Sequence, residues 1–288
     1  SNAKAGKGEH VVAEADESDG SFLQYQPQIA VVTNIEADHL ENYGGDFAKL
    51  KEAYARFLGR VKAGGKAVVC LDDPELSALL PSVKGEFITY GTHPDAMFRA
   101  VDIVLGDRRA EFTVLSGGVS LGRVTLHVPG RHNVLNALAA LIVAMEAGVS
   151  FEKAAEALAE FSGAKRRFQV LGDVGGILVI DDYAHHPTEI IATIAAAKAT
   201  GRRIVAVFQP QRYTRTFYLL DSFSRAFGEA DEVIIADIYS PAGEERIEGV
   251  SAARLAELIR ERSNPNVTYL STKDEVLAKL EQIGRAHV

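Results

Sequence analysis

The sequence has few of the residues that mark secreted or membrane-embedded proteins. Its 288 residues include one cysteine, two methionines and no tryptophan. Because a lone cysteine, Cys70, forms no intrachain disulfide, the composition favours a reducing compartment. No apolar run reaches the roughly 20 residues that a membrane-spanning helix needs, and the N-terminus lacks the apolar core of a secretory signal. We therefore expect a cytoplasmic protein with no membrane partner.

Basic residues are also in the minority. Lys and Arg total 31 against 39 Asp and Glu, which gives a formal net charge of −8. Binding to nucleic acid depends on clustered Lys and Arg side chains that release counterions from the phosphates. We therefore expect no nucleic-acid partner. Apolar residues make up 47% of the chain, which is enough to bury the cores of about two domains.

The first 162 residues predict an α/β domain with a mixed sheet. Strand-like runs at residues 11–13, 29–33, 66–71 and 87–90 alternate with helical patterns at 46–60 and 74–80, which is typical of a largely parallel sheet. Residues 97–128 are rich in β-formers and contain Gly-Asp and Gly-Gly turns, so they predict two or three antiparallel strands. Helices are expected at about 133–147 and 151–161.

A second α/β domain is predicted from residue 163 to residue 288. Ser162, Gly163 and Ala164 break the helical pattern, and a new alternation of strands and helices follows. It contains the strand-like runs VLGDVGGILVIDDY, IVAVFQ, EVIIAD and VTYL, with helical patterns between and after them. We interpret this half as a Rossmann-like, doubly wound parallel sheet.

Acidic and imidazole side chains follow two of the predicted strands in the first half. Glu14 comes after residues 11–13, and His39 comes after residues 29–33 within the segment TNIEADHL. The ends of neighbouring parallel strands meet at one sheet edge, where carboxylate and imidazole groups can bind a divalent cation. From the residues alone, solvated or capping carboxylates explain this pattern better than a metal site does.

Two further groups of polar residues stand at predicted loop–helix junctions. Asn133 and Asn136 lie in the first turns of a helix, where an amide can pair with an adenine edge or serve as a helix cap. The run DDYAHHPTE places Asp182 and two histidines between a strand and a helix opened by proline. That position faces the ligand crevice of a parallel sheet, although a hydrogen-bonded structural loop remains an alternative.

Arginines mark two more segments. In FQPQRYTRT, Arg212 and Arg215 follow a strand and are spaced about one helical turn apart. Two guanidinium groups at that spacing can hold a carboxylate or a phosphoryl group through forked hydrogen bonds. Arg166 and Arg167 follow the predicted domain boundary. Solvated surface arginines are the alternative for both pairs.

Taken in order, six segments resemble the Mur ligase family, in particular its alanine-adding members. These segments are AEADESDGSFL, VTNIEADHL, GRHNVLNALAA, RRFQVLG, DDYAHHPTEI and FQPQRYTRT, and they span nearly the whole chain. The resemblance implies an ATP-dependent ligase of peptidoglycan precursor synthesis, with ATP and Mg²⁺ as cofactors and UDP-N-acetylmuramate and L-alanine as substrates. In such an enzyme the muramoyl carboxylate is activated as an acyl phosphate, which the amino group of L-alanine attacks.

The resemblance also implies roles for particular residues. It assigns Glu14 and His39 as Mg²⁺ ligands. It assigns a nucleotide set consisting of His132, Asn133 and Asn136 on the adenine side, Arg167 at the ATP phosphates and Asp182 at the ribose. It assigns a set that holds the amino acid and stabilises the tetrahedral transition state, consisting of Tyr183, His185, Arg212 and Arg215. Gln211 departs from the histidine common at that position, which puts the determinants of alanine selectivity in doubt.

Some parts of the family pattern are missing. The sequence has no N-terminal domain for the UDP sugar and no glycine-rich loop ending in Gly-Lys-Thr, and the segment KAGKGEH lacks the spacing of a phosphate loop. We therefore expect a piece of a ligase, incomplete at both ends and inactive by itself.

Three other functions compete with this hypothesis. The nearest is a recycling ligase that joins a preformed peptide to the same acceptor. A metal-dependent hydrolase would use the acidic cluster with His39, His185 and His186, and a nonenzymatic module would only bind nucleotide. The ligase hypothesis requires that acidic and imidazole groups of the first half face guanidinium groups of the second half across a shared cleft.

Overall fold

The structure, a computed structural model, describes residues 6–241 and 244–285. Its first half is built on a six-stranded sheet in the order β1-β2-β3-β4-β5-β6. Strands β1 to β4 are parallel, and β4, β5 and β6 pair antiparallel. The strands are β1 Ile29–Val32, β2 Lys66–Cys70, β3 Phe87–Gly91, β4 Phe98–Leu105, β5 Ala110–Ser116 and β6 Val119–Leu126. The predicted mixed sheet, with its antiparallel flank, is confirmed.

Helices of the first half begin where the sequence supplies capping side chains. Asp46 accepts a hydrogen bond from the Ala48 amide, and Asp73 accepts one from the Leu76 amide, so both satisfy otherwise unpaired N–H groups at a helix start. Ser150 caps the fourth helix in the same way. The helices are α1 Phe47–Leu58, α2 Pro74–Leu79, α3 Arg131–Glu146 and α4 Phe151–Glu160, and single-turn 3-10 helices lie at Ser21–Gln24, Leu40–Tyr43 and Leu80–Ser82.

The second half contains a separate hairpin and a three-stranded parallel sheet. The hairpin pairs β7 Gln169–Val174 with β8 Ile177–Asp181, and the sheet has the order β11-β10-β9. The sheet strands are β9 Val205–Phe208, β10 Glu232–Ala236 and β11 Val267–Leu270. The helices are α5 Pro187–Lys198, α6 Tyr213–Tyr218, α7 Leu220–Arg225, α8 Ala252–Arg262 and α9 Lys273–Arg285. No helix in the described part of the chain is long and apolar enough to cross a membrane.

Each half has its own hydrophobic core. The first is built on the six-stranded sheet, and its fully buried members include Val68, Phe112 and Leu138. The second lies between the parallel sheet and its helices, and it includes Phe223 and Ile235. Apolar residues that alternate along the strands and recur along the helices supply both cores. The domain boundary at residue 162 remains a prediction that this description of the cores does not decide.

Two predicted strands differ from the structure. Residues 11–13 were expected to form a strand, but they are irregular, and Val11 and Val12 are 92% and 94% exposed. That prediction is wrong because no neighbouring element covers these side chains. The run ending at Asp181 was expected within the second parallel sheet, but β8 pairs only with β7 among the described strands. The order of β9, β10 and β11 is sequential, without the reversal that a doubly wound sheet contains.

Candidate functional site

The loop that follows β1 carries the acidic residues of the site. The amide of Asn34 donates to Glu36 Oε1 at 2.9 Å, and Asp38 Oδ1 accepts the backbone N–H of His39 at 2.9 Å. His39 itself has a positive φ of 54°, and its ring nitrogens lie 3.6 Å from Asp38 Oδ2 and 3.9 Å from Glu41 Oε1. This loop leaves the carboxyl end of a parallel strand, which is where α/β sheets bind ligands.

A second loop, between β8 and α5, is held by two carboxylates. Asp182 accepts the backbone N–H groups of Phe168 at 2.7 Å and Ala184 at 2.8 Å. Glu189 Oε2 accepts those of His185 at 2.9 Å and His186 at 3.1 Å, which caps the start of α5. Because these bonds tie the loop at both ends, its side chains have defined positions.

Glu36 joins the two loops across the halves of the molecule. Its Oε2 lies 2.6 Å from His186 Nδ1 and accepts the Thr188 hydroxyl at 2.7 Å. Burial by itself raises the pKa of the Glu36 carboxyl, but the contacts with His186, Thr188 and Asn34 outweigh it, so the pKa lies below its usual value of 4.5. Glu36 is therefore an anion at neutral pH.

Asp38 joins the β1 loop to α6. The Arg215 guanidinium donates from Nε to Asp38 Oδ1 at 3.2 Å and from Nη2 to Asp38 Oδ2 at 3.3 Å, and from Nη1 to Gln211 Oε1 at 3.0 Å. Burial acts to raise the pKa of Asp38, but the charge and hydrogen bonds of Arg215, together with the contacts of His39, outweigh it and lower that pKa. Acidic groups of the first half thus face a guanidinium of the second.

The two arginines of the predicted pair have different surroundings. Arg215 is only 7% exposed, whereas Arg212 precedes the helix and is exposed. Arg212 has a φ of 67°, and its side chain makes no hydrogen bond or ion pair to another described residue. The same short segment therefore carries a buried, paired guanidinium, that of Arg215, and an exposed guanidinium that a ligand can reach, that of Arg212.

The predicted nucleotide residues come from both halves. The pKa of the His132 ring is lowered, mainly by burial. The charge of Asp182 acts to raise this pKa, and the charge of Arg167 acts to lower it. Asp182 and Arg167 are therefore close enough to His132 to act on it electrostatically. The Arg167 guanidinium donates to Glu189 Oε1 at 3.2 Å and lies 6.0 Å from the centre of the Tyr183 ring. Most of this set therefore converges near the start of α5.

The asparagines of that set have simpler surroundings. The Asn133 amide donates to the Pro129 carbonyl at 2.7 Å, which ties the start of α3 to the preceding loop. Asn136 is exposed one turn later. Tyr183 stacks edge-on against His185 at 5.2 Å between ring centres, and His185 Nδ1 lies 2.8 Å from the Tyr183 carbonyl oxygen. Exposed Asn136 and Tyr183 are thus available to a ligand.

The predicted metal ligands are not gathered into a ligand set. Within residues 6–241 and 244–285, no group of three or more His, Cys, Asp and Glu side chains could hold a metal ion. Glu14 lies on the exposed irregular segment rather than at a strand end. The surroundings of His39 are carboxylates of its own loop. The arrangement by itself therefore does not fit a protein-held cation, and it gives no support to a metal-dependent hydrolase.

Sequence reasoning missed the residues that connect the loops. Glu36 lies within the segment TNIEADHL, and Thr188 and Glu189 lie within DDYAHHPTEI, but the sequence pattern assigns none of the three a role in the site. A local signal existed for Glu189, because a Glu three residues after a helix cap is the acceptor of a capping box. Nothing local marks the contact of Glu36 with Thr188, since 152 residues separate them.

The fold defines an α/β protein with two cores. The contacts of Glu36 and Asp38 with the second half form a junction, in which charged loops of one half are bonded to segments of the other. The chain matches the Mur ligase middle domain over residues 1–144 and the Mur ligase, glutamate ligase domain over residues 166–288. It therefore belongs to the Mur ligase family.

Within the Mur ligase family, the chain is similar to several individual enzymes. The UDP-N-acetylmuramate–L-alanine ligase of Symbiobacterium thermophilum is 49% identical over 280 residues, which are 95% of this chain and 58% of the relative. The solved UDP-N-acetylmuramate–alanine ligase of Thermotoga maritima is 27% identical with a TM-score of 0.69, covering 89% of this chain and 54% of that one. A murein peptide ligase of Psychrobacter arcticus is 27% identical with a TM-score of 0.60, covering 90% and 53%. The chain thus spans less than two thirds of these relatives.

Proposed function

We propose that this chain is the ATP-binding and amino-acid-binding part of a cytoplasmic ligase that joins L-alanine to UDP-N-acetylmuramate in peptidoglycan precursor synthesis. The carboxylate of the sugar would be activated by ATP as an acyl phosphate and then attacked by the alanine amino group. Identity of 49% to an enzyme named for this reaction supports the choice of substrates. The buried free thiol of Cys70 fits a reducing compartment.

One structural observation supports the site above all others. The β1 loop contacts both loops of the second half, through Glu36 with His186 and through Asp38 with Arg215. A ligase that couples phosphoryl transfer to amide formation needs groups from two substrate-binding regions at one point, because positioning supplies much of the rate. These contacts hold the two regions together.

The nucleotide would lie along the start of α5 and α3. We propose that the amides of Asn133 and Asn136, with His132, face the base, and that Asp182 faces the ribose. Arg167 would bind phosphate oxygens by charge-assisted hydrogen bonds. In the present arrangement Arg167 is paired with Glu189 at 3.2 Å and is half exposed, so a phosphate can compete for it.

The amino acid and the transition state would be bound by the second set. Tyr183 and His185 would line one side, and Arg212, whose guanidinium has no partner among the described residues, would bind a carboxylate. The fork of Arg215 is filled by the Asp38 carboxylate, which stands where an anionic reacting group would bind. We infer that Arg215 either shares its remaining N–H groups with that anion or exchanges Asp38 for it, stabilising the charge that develops during acyl transfer.

Mg²⁺ would screen phosphate charge during transfer. Glu14 and His39 remain its proposed ligands, although they belong to no ligand set among the described residues.

A ligation assay tests the proposed function. The chain as given should be inactive with ATP, Mg²⁺, UDP-N-acetylmuramate and L-alanine, since it contains no phosphate loop. A version extended by the upstream segment of an alanine-adding relative should form the amide and release ADP and phosphate. Activity of the unextended chain, or inactivity of a folded extended chain, would contradict the proposal.

The second candidate is a ligase that attaches a preformed peptide, because the chain is also similar to the Psychrobacter arcticus enzyme, with a TM-score of 0.60 against 0.69 for the Thermotoga maritima alanine ligase. Offering the extended chain either L-alanine or a tripeptide as nucleophile separates the two. We expect L-alanine to be used and the tripeptide to be rejected.

A further inference from the structure

The segment between β10 and α8 holds a carboxylate against the start of α6. Glu244 accepts hydrogen bonds from the Tyr213 backbone N–H at 3.1 Å, the Thr214 backbone N–H at 3.1 Å and the Thr214 hydroxyl at 2.8 Å. It also accepts the Ser240 hydroxyl at 2.8 Å. These bonds satisfy two of the N–H groups that a helix start leaves unpaired. They come from a residue 30 positions away from Thr214 rather than from a local cap.

The backbone beside Glu244 supports the same segment. The Arg212 N–H donates to the Tyr239 carbonyl at 2.9 Å, and the Tyr239 N–H donates to the Pro210 carbonyl at 2.9 Å. Arg212 lies between these contacts with a φ of 67°. A non-glycine residue keeps such a conformation only where its surroundings hold it. Tyr239 therefore holds Arg212 by a backbone bond, and Glu244 holds the two residues that follow Arg212.

The charge of Glu244 strengthens this support. Burial acts to raise the pKa of the Glu244 carboxyl, but the hydrogen bonds from Thr214, Ser240 and Tyr213 outweigh it and lower that pKa. The side chain is thus a carboxylate at neutral pH. Charge-assisted hydrogen bonds are about twice as strong as neutral ones.

We propose that Glu244 is a positioning residue, which holds the first turn of α6 so that Arg212 and Arg215 face the reacting groups. This inference rests on the proposed function, because it gives those arginines a role in binding the amino acid and in stabilising the transition state. In this role Glu244 would not need to contact a substrate. It acts through the backbone of Tyr213 and Thr214.

The test uses the extended, active enzyme with Glu244→Ala, Glu244→Gln and the control Glu245→Ala. Glu245 is exposed and has no side-chain partner among the described residues. Hydrogen exchange measured by mass spectrometry should be faster over the start of α6 in Glu244→Ala and unchanged in Glu245→Ala. The KM for L-alanine should rise about tenfold with a fall in kcat, whereas the KM for ATP should stay the same. Glu244→Gln should be intermediate, because its amide oxygen keeps part of the bonding.

Three results would overturn the inference, and the first two concern hydrogen exchange. One is unchanged exchange over α6 in Glu244→Ala, and the other is faster exchange with kinetic constants equal to those of Glu245→Ala. A uniform loss in both KM values, matched by a lower melting temperature, would show general destabilisation and also overturn it. Failure of the proposed function looks different, because the unsubstituted enzyme itself would then not ligate L-alanine.

Discussion

At the scale of single residues, Arg212 and Arg215 show how burial separates two side chains of one type. Their spacing in the sequence predicts a pair on one helix. However, α6 begins at Tyr213, so Arg212 lies outside the helix. Arg215 is buried and bonded to Asp38 and Gln211. A guanidinium stays charged when it is buried, so it needs such partners, because burial of an unpaired charge is costly.

Replacing each arginine by lysine should therefore have different effects on stability. Arg215→Lys keeps the charge but loses the forked bonds, so we expect a loss of about 1–3 kcal/mol in the free energy of unfolding. Arg212→Lys should leave stability unchanged, because that side chain has no partner to lose among the described residues. Denaturant unfolding of both variants measures this. Equal shifts would show that the Asp38–Arg215 pair is not important for stability.

Glu36 should make stability depend on pH. Its pKa is lower in the folded protein than the usual 4.5, so its contribution is present above the unfolded pKa and is lost as the pH falls through the folded one. Glu36→Gln should thus be less stable than the unsubstituted chain at pH 7, by about 1–3 kcal/mol, with the difference shrinking toward pH 3. Melting curves across this range test it, with Glu156→Gln as the exposed control. A difference that is constant with pH would contradict the assignment.

At the scale of elements, a glycine turn explains the β7–β8 hairpin, which the pattern of strand-like runs alone did not predict. Val174 pairs with Ile177 across Gly175 and Gly176, which have φ values of 59° and 79°. A two-residue turn with positive φ at both positions matches the right-handed twist of the strands, and glycine adopts it without strain. The turn therefore folds β7 onto β8, and β8 is not added to the parallel sheet.

Gly176→Ala should destabilise this hairpin. A side chain at positive φ costs roughly 1–2 kcal/mol, although no neighbouring atom blocks a Cβ there. Gly172→Ala is the matched control on β7, since its Cβ also meets no atom within 4 Å and its φ is not positive. The comparison of thermal unfolding should show a lower midpoint only for Gly176→Ala. Similar midpoints for the two variants would refute the turn geometry.

At the scale of the whole molecule, the described residues form two separate cores, and polar contacts connect the two halves. Glu36 bonds to Thr188, Asp38 to Arg215, and Arg108 to Asp173 at 2.8 Å. Polar contacts between domains are compatible with relative motion, because they exchange readily for water or ligand. The junction can thus hold the site together and still admit substrates.

If residues 1–162 and 163–288 are domains, each should fold without the other. We expect each piece, expressed separately, to unfold cooperatively in denaturant, since each contains its own hydrophobic core. Circular dichroism during titration with denaturant tests this. A piece that lacks a cooperative transition would place the boundary elsewhere or show that the cores depend on each other.

The sequence by itself determined the α/β class, the mixed sheet with its antiparallel flank, most helix starts and the Mur ligase family. These follow from local properties, namely apolar periodicity, capping side chains and short motifs. Only the tertiary structure decided that residues 11–13 are not a strand, that Arg215 is paired, and that Glu36 and Glu244 connect distant segments. The reason is physical, because Asp38 and Arg215 are 177 residues apart in the sequence. A contact between such distant residues depends on how the two cores pack together, and no local sequence pattern encodes that packing.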